Sequence, residues 1–142
     1  MRFWDTSALV PTLTVEATSD AVRSLLARDA DVLAWWGTRV ECVSALARLE
    51  RQALVTAEDF TASLARLVEA SSSWQEIEPG DRLRDVAMRL LRTHPLRTAD
   101  AFQLAAAIVA ADGEPRSLQF VTLDARLALA AQREGFPVVE PA

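Results

Sequence analysis

The spacing of apolar residues switches again and again along this chain, and that switching constrains its fold more than any other feature. Short continuous apolar runs alternate with longer stretches in which apolar residues return every three or four positions. The runs suit strands buried on both faces and the longer stretches suit amphipathic helices, so the chain is expected to form a layered α/β domain on a mostly parallel sheet. Phe3-Trp4 reads as the first strand, ending at Asp5-Thr6-Ser7, residues that favour turns and helix starts. A helix is expected over residues 15–28 with Ala21, Val22, Leu25 and Leu26 on one face, then a strand over 31–35 broken by Gly37. Helices at 38–52 and 57–70 follow, and a strand at 74–77 closes at Pro79-Gly80. An amphipathic helix from Asp81 ends before Pro95, and the most apolar helix begins at Thr98 and is rich in Ala over 101–111. A strand at 118–122, a short helix headed by Asp124 and ended by Gly135, and a strand at Val138-Val139 complete the pattern.

A chain of 142 residues, 51% apolar, fits one domain. Such a domain buries roughly two thirds of its unfolded surface and needs no staple. Cys42 is the only cysteine, which excludes an internal disulfide and points to a reducing cytoplasm. All 15 basic residues are Arg, so chemistries that need Lys, such as P-loop phosphate binding and Schiff-base catalysis, lack their residue. One Cys and one His exclude a Cys/His zinc site. A Ser/His/Asp triad would have to use His94, which precedes Pro95, and no glycine-flanked nucleophile turn exists. No run approaches the ~20 apolar residues of a membrane span. Met1-Arg2-Phe3-Trp4-Asp5 reaches a carboxylate too soon for a signal peptide. The net charge of −5 argues against electrostatic coating of nucleic acid.

Ligands of open α/β sheets sit beyond the carboxyl ends of the strands. Asp5 and Asp124 each follow a strand there, and Glu41 and Asp100 lie in first turns of helices, so four acids from separated segments can converge. Each also has a purely structural explanation. Glu41 would complete a capping box with Thr38, Asp100 suits the positive end of its helix, Asp124 suits an N-cap, and Asp5 suits an Asx turn onto Thr6 and Ser7. Converging carboxylates repel one another. With no Lys and no Arg evident beside each acid, hard divalent cations, Mg²⁺ or Mn²⁺, are the expected relief. Such ions activate water and stabilise the leaving oxygen of a phosphodiester, which implies metal-dependent hydrolysis of nucleic acid.

Four segments in order resemble one family: Asp5-Thr6-Ser7-Ala8-Leu9, residues 41–48, residues 96–107, and residues 120–127, the last followed by Ala130-Ala131 and the exit Gly135-Phe136-Pro137-Val138. Together they are similar to the PIN-domain ribonucleases, and among these to the VapC-like toxins of type II toxin–antitoxin pairs. The resemblance implies a single PIN domain over residues 1–142: a three-layer α/β fold whose central, mostly parallel sheet of four to five strands is flanked by helices. It implies a metal-dependent endoribonuclease that hydrolyses RNA, the toxin of a pair neutralised by a small cognate antitoxin, cytoplasmic, often a homodimer and not membrane-bound. Asp5, Glu41, Asp100 and Asp124 would hold Mg²⁺ or Mn²⁺, with Thr6, Ser7 and Thr122 supporting the carboxylates. Two alternatives stay open: an RNA-processing or DNA-directed PIN nuclease outside any such pair, and a metal-free PIN-like binding module whose acids only cap helices.

From Arg82 to Arg97 five arginines (82, 84, 89, 92 and 97) stand against the single acid Asp85, a solvated face from which Arg97, three residues before Asp100, is the expected RNA contact. The four Trp (4, 35, 36 and 74) are expected in the core or an interface, with base stacking open to one of them.

Overall fold

A strand as short as Phe3-Trp4, apolar at every position, suits burial on both faces of a parallel sheet. Phe3 and Trp4 are both fully buried, and they point to opposite faces of the sheet. The computed structural model, which describes residues 1–141, builds outward from this strand. The elements are β1 (Arg2–Trp4), α1 (Thr6–Leu13), α2 (Ser19–Arg28), β2 (Val32–Trp35), α3 (Thr38–Arg51), α4 (Ala57–Ser71), β3 (Gln75–Ile77), α5 (Asp81–Thr93), α6 (Thr98–Ala111), β4 (Gln119–Val121), α7 (Ala125–Arg133) and β5 (Val138–Val139). A 3-10 turn at Pro115–Ser117 leads into β4.

The five strands form one sheet in the order β3-β2-β1-β4-β5, and every pairing is parallel. The chain winds from β1 through β2 to β3 on one side, then returns across the sheet to β4 and β5. The order therefore reverses between β1 and β4, and their carboxyl ends form the switch point at which such sheets bind ligands. One face of the sheet packs Phe3, Leu33 and Phe120 against Leu83 and Leu90 of α5, Leu104 and Ala105 of α6, and Leu127 of α7. The other packs Trp4, Ala34 and Val121 against Leu9, Val22, Leu46 and Leu67 of α1 to α4. This is the layered α/β architecture expected from the alternation, in the three-layer form that the resemblance implies. Among the described residues no helix is long and apolar enough to cross a membrane.

The structure departs from the sequence reading in places. Asp5-Thr6-Ser7 does start a helix, one that the sequence reading did not place: Thr6–Leu13 is helical despite Pro11, because Ala8, Leu9, Val10 and Leu13 are all buried there. Packing outweighs the backbone hydrogen bond that Pro11 forgoes. The helix expected from residue 15 begins only at Ser19, whose hydroxyl accepts from the Glu16 amide at 2.8 Å, while Val15 stands exposed. The expected Thr38/Glu41 capping box does not form, since Gly37 is the N-cap of α3 and both side chains turn toward α6. Trp4 and Trp35 are in the core and Trp74 packs against it, but Trp36 is 52% exposed. His94 is spoken for: its Nε2 lies 2.9 Å from Glu134, which also takes Arg89 at 2.7 Å and so ties the end of α5 to the end of α7.

Gly37 has an ordinary backbone but no spare room. A Cβ there would lie 2.5 Å from Nε1 of Trp35, whose ring is stacked on Phe102 at 5.6 Å. Gly37→Ala is expected to cost about 1–3 kcal/mol in urea unfolding and to change the near-ultraviolet dichroism of the Trp35 pair. An unchanged midpoint would show that the indole moves aside freely.

Candidate active site

Asp5 lies directly beyond β1, where its amide donates to the Val121 carbonyl of β4 at 3.1 Å. Its carboxylate does not turn onto the Thr6 and Ser7 amides but accepts the Ser7 hydroxyl at 2.8 Å. Ser7 Oγ in turn accepts the Leu123 amide at 2.9 Å and lies 3.2 Å from the Thr122 hydroxyl, which accepts the Asp124 amide at 3.0 Å. The ends of β1 and β4 are thus laced together by hydroxyls. Asp5 is only 4% exposed. Burial pushes its carboxyl up to about 7, and the nearby Asp124 charge adds to the rise, against hydrogen bonds from Ser7, Thr122 and the Ala8 amide.

Glu41 extends from the first turn of α3 and accepts from the Gln103 amide at 2.9 Å. Burial raises its proton affinity and Asp100 adds to that, while Gln103 and Thr6 oppose it. Asp100, in the first turn of α6, accepts the Arg97 amide at 3.3 Å and is raised by burial and by Asp124. Arg97 and Arg126 counter that rise, so this acid does have arginines beside it, contrary to the sequence reading. Asp124 is the N-cap of α7: its Oδ1 accepts the Arg126 and Leu127 amides at 2.9 and 3.0 Å, as its position before a helix suggested.

All four acids line one open cleft of about 430 Å³, together with Thr6, Ser7, Gln103, Arg48 and Arg97. Asp100, Asp124 and Arg97 also border an adjoining hollow with Arg126. Each acid feels another: Asp5 with Asp124, Asp124 with Asp100, Asp100 with Glu41. Among the described residues, no three His, Cys, Asp or Glu side chains stand close enough to enclose a metal ion as they lie. Behind the cleft Cys42 is fully buried, its thiol pushed up to about 12 by burial and by Glu41 and Asp5, so it stays protonated and inert.

Arg48, Arg97 and Arg126 are exposed and make no ion pair among the described residues. Arg82, Arg84 and Arg89, by contrast, pair with Asp112, Asp81 and Glu134 along the solvated face of α5. The reading from sequence missed Gln103 and Thr38, both buried against the cleft. The available signal was a lone amide in an otherwise apolar helix, three residues after Asp100 and therefore on the same helix face.

No protein-family model and no curated protein sequence matches the chain. Several solved structures match its fold over nearly its full length. VapC20 of Mycobacterium tuberculosis, a sarcin-ricin loop cleaving toxin, is 18% identical over 96% of both chains with a TM-score of 0.67. A toxin–antitoxin complex from Klebsiella pneumoniae is 17% identical over 100% of this chain and 98% of that one, TM-score 0.68. FitAcB of Neisseria gonorrhoeae is 16% identical over 97% and 96%, TM-score 0.67. With five parallel strands in that order, helices on both faces, and these structural neighbours, the chain has the PIN-domain fold of the VapC-like toxin–antitoxin proteins.

Proposed function

We propose that this chain is a single PIN domain over residues 1–142 acting as a metal-dependent endoribonuclease, the toxin of a toxin–antitoxin pair. The observation that supports the reading best is the convergence of Asp5, Glu41, Asp100 and Asp124, from four separate segments, on one cleft at the switch point of the sheet. Asp5 carries the most weight, because a buried carboxylate costs free energy unless something offsets it. The neighbours add direction: one is described as a sarcin-ricin loop cleaving toxin and another as a toxin–antitoxin complex.

The donor set fits a divalent cation. It is entirely oxygen, the chemistry that suits Mg²⁺ or Mn²⁺, ions that keep several waters and use few protein ligands. Asp5 and Asp100 would hold the ion first, with Glu41 and Asp124 beside them. When bound, such an ion supplies a nucleophilic water at neutral pH and offsets charge on the scissile phosphate. Ser7 and Thr122 orient Asp5, and Thr6 lies against the Gln103 amide that holds Glu41. Arg97 meets the RNA phosphates, with Arg48 and Arg126 on either side.

The four acids hold four of the chain's negative charges, so neutralising them takes the formal charge from −5 to −1. RNA binding then depends on metal, and a small antitoxin with cationic side chains is complementary to the same cleft. A homodimer of this domain completes the proposal.

The competing reading, a metal-free binding module, has one observation in its favour, the two capping bonds of Asp124. Chelation decides between them. RNA cleavage by the purified protein should disappear in EDTA and return with Mn²⁺, and calorimetry should find a Mn²⁺ site stronger than surface binding. Cleavage that persists after chelation overturns the mechanism.

A further inference from the structure

Gln103 occupies an unusual position. It is 1% exposed in a helix whose other buried residues are Ala101, Leu104, Ala105, Ala106 and Ala107. Its Nε2 lies 2.9 Å from Glu41 Oε2 and 3.0 Å from the hydroxyls of both Thr6 and Thr38. Its Oε1 is buried and has no hydrogen-bond partner among the described residues.

Two chemical facts fix that orientation. A primary amide offers two N–H groups from nitrogen and none from oxygen, and an ionised carboxylate can only accept. Turned end for end, the amide would set Oε1 against the Glu41 oxygen with no proton between them, although the two threonine hydroxyls could donate to it equally well. Only Glu41 therefore requires the nitrogen to face the cleft. The orphaned Oε1 is the cost of that choice, since a buried acceptor without a donor is destabilising.

We infer that Gln103 is the positioning residue that holds the Glu41 carboxylate in the cleft, so that α6 contributes one acid directly, Asp100, and sets a second through its next turn. The role of Glu41 toward a metal rests on the nuclease reading above; the hold of Gln103 on Glu41 does not. A purely structural role, pinning α1 to α3 through Thr6 and Thr38, makes a different forecast, because it would be indifferent to Glu41.

The test is a double-mutant cycle on the intact, metal-free protein: wild type, Q103L, E41A and Q103L/E41A, with Mn²⁺ affinity measured by calorimetry. Q103L is expected to weaken Mn²⁺ binding about tenfold when Glu41 is present and less than twofold in the E41A background. In parallel, nuclear magnetic resonance should find the Gln103 side-chain N–H hydrogens slow to exchange in the wild type and shifted in E41A. Equal weakening in both backgrounds, or an amide signal that E41A leaves unmoved, overturns the inference. If Q103L fails to fold, the E41A amide signal alone decides. If the wild type binds no Mn²⁺ beyond weak surface uptake, the nuclease reading fails, and the amide signal still shows whether Gln103 holds Glu41.

Discussion

Asp5→Asn is expected to abolish RNA cleavage and, in the same preparation, to raise the melting temperature of the metal-free protein at pH 8. The two effects share one cause. Asp5 is 4% exposed, and burial holds its carboxyl at about 7, against an unfolded value near ~3.9. A raised acid is one whose ionised form the fold disfavours. Its cost is absent below the unfolded value, grows as pH rises through the interval between the two, and is complete above about 7. The metal-free wild type should therefore lose stability as pH climbs from 4 to 8, by an amount on the order of 2–4 kcal/mol. The Asn variant should lose less, because its amide never ionises and its Oδ1 still accepts the Ser7 hydroxyl at the position seen here.

Activity moves the other way. On the proposed nuclease reading, losing this carboxylate removes a ligand that would hold the cation, and the rate is expected to fall at least about a hundredfold. Binding the cation must also release the Asp5 proton, so apparent Mn²⁺ affinity should fall as pH drops below 7. Thermal unfolding from pH 4 to 8, with and without Mn²⁺, reads all of this at once. A variant that melts lower than the wild type at pH 8, or one that still cleaves RNA, would remove Asp5 from the centre of the site.

Phe120→Ala should be the most damaging core substitution, at about 3–5 kcal/mol by urea unfolding. Phe120 is fully buried in β4, stacked on Phe3 at 5.3 Å and tilted against Phe136 at 5.9 Å. It faces Phe3 in register across the β1–β4 pair, the same pair whose ends present Asp5 and Asp124. A domain stable by only 5–15 kcal/mol would be left close to unfolding. The site should fail with the core, since the hydroxyl lacing of Ser7 and Thr122 depends on these two strands lying side by side. A loss under 1 kcal/mol would mean that the layer beneath the site refills the cavity.

The layered fold was legible in the chain because strands buried on both faces must be written as continuous apolar runs, and Phe3-Trp4 and Phe120-Val121 are such runs. Two of the four acids were legible for a related reason: Asp5 and Asp124 lie just beyond those runs, where a parallel sheet presents its ligand edge, while Glu41 and Asp100 stood out only as acids in the first turns of helices. α1 was not legible. Its apolar residues at Leu9, Val10 and Leu13 make up only one helical turn, too short for a period to stand out, and Pro11 argues locally for an end. The Thr38/Glu41 pair has the spacing of a capping box, yet in the fold both side chains answer to Gln103 on a helix more than sixty residues away.

The division follows the range of the forces involved. Hydrophobic period, turn chemistry and the order of acids along the chain act between near neighbours, so the α/β alternation, the positions of Asp5, Glu41, Asp100 and Asp124, and the absence of Lys are properties of the string itself. Which partners a polar group meets depends on segments that only the packed core brings together. Tertiary structure alone decided that Asp5 would be buried and its proton held to about 7, that Glu41 would turn from its expected capping box to Gln103, and that Arg126 would come beside Asp100. It also gave Gln103, a lone amide in an Ala-rich helix, its hold on Glu41.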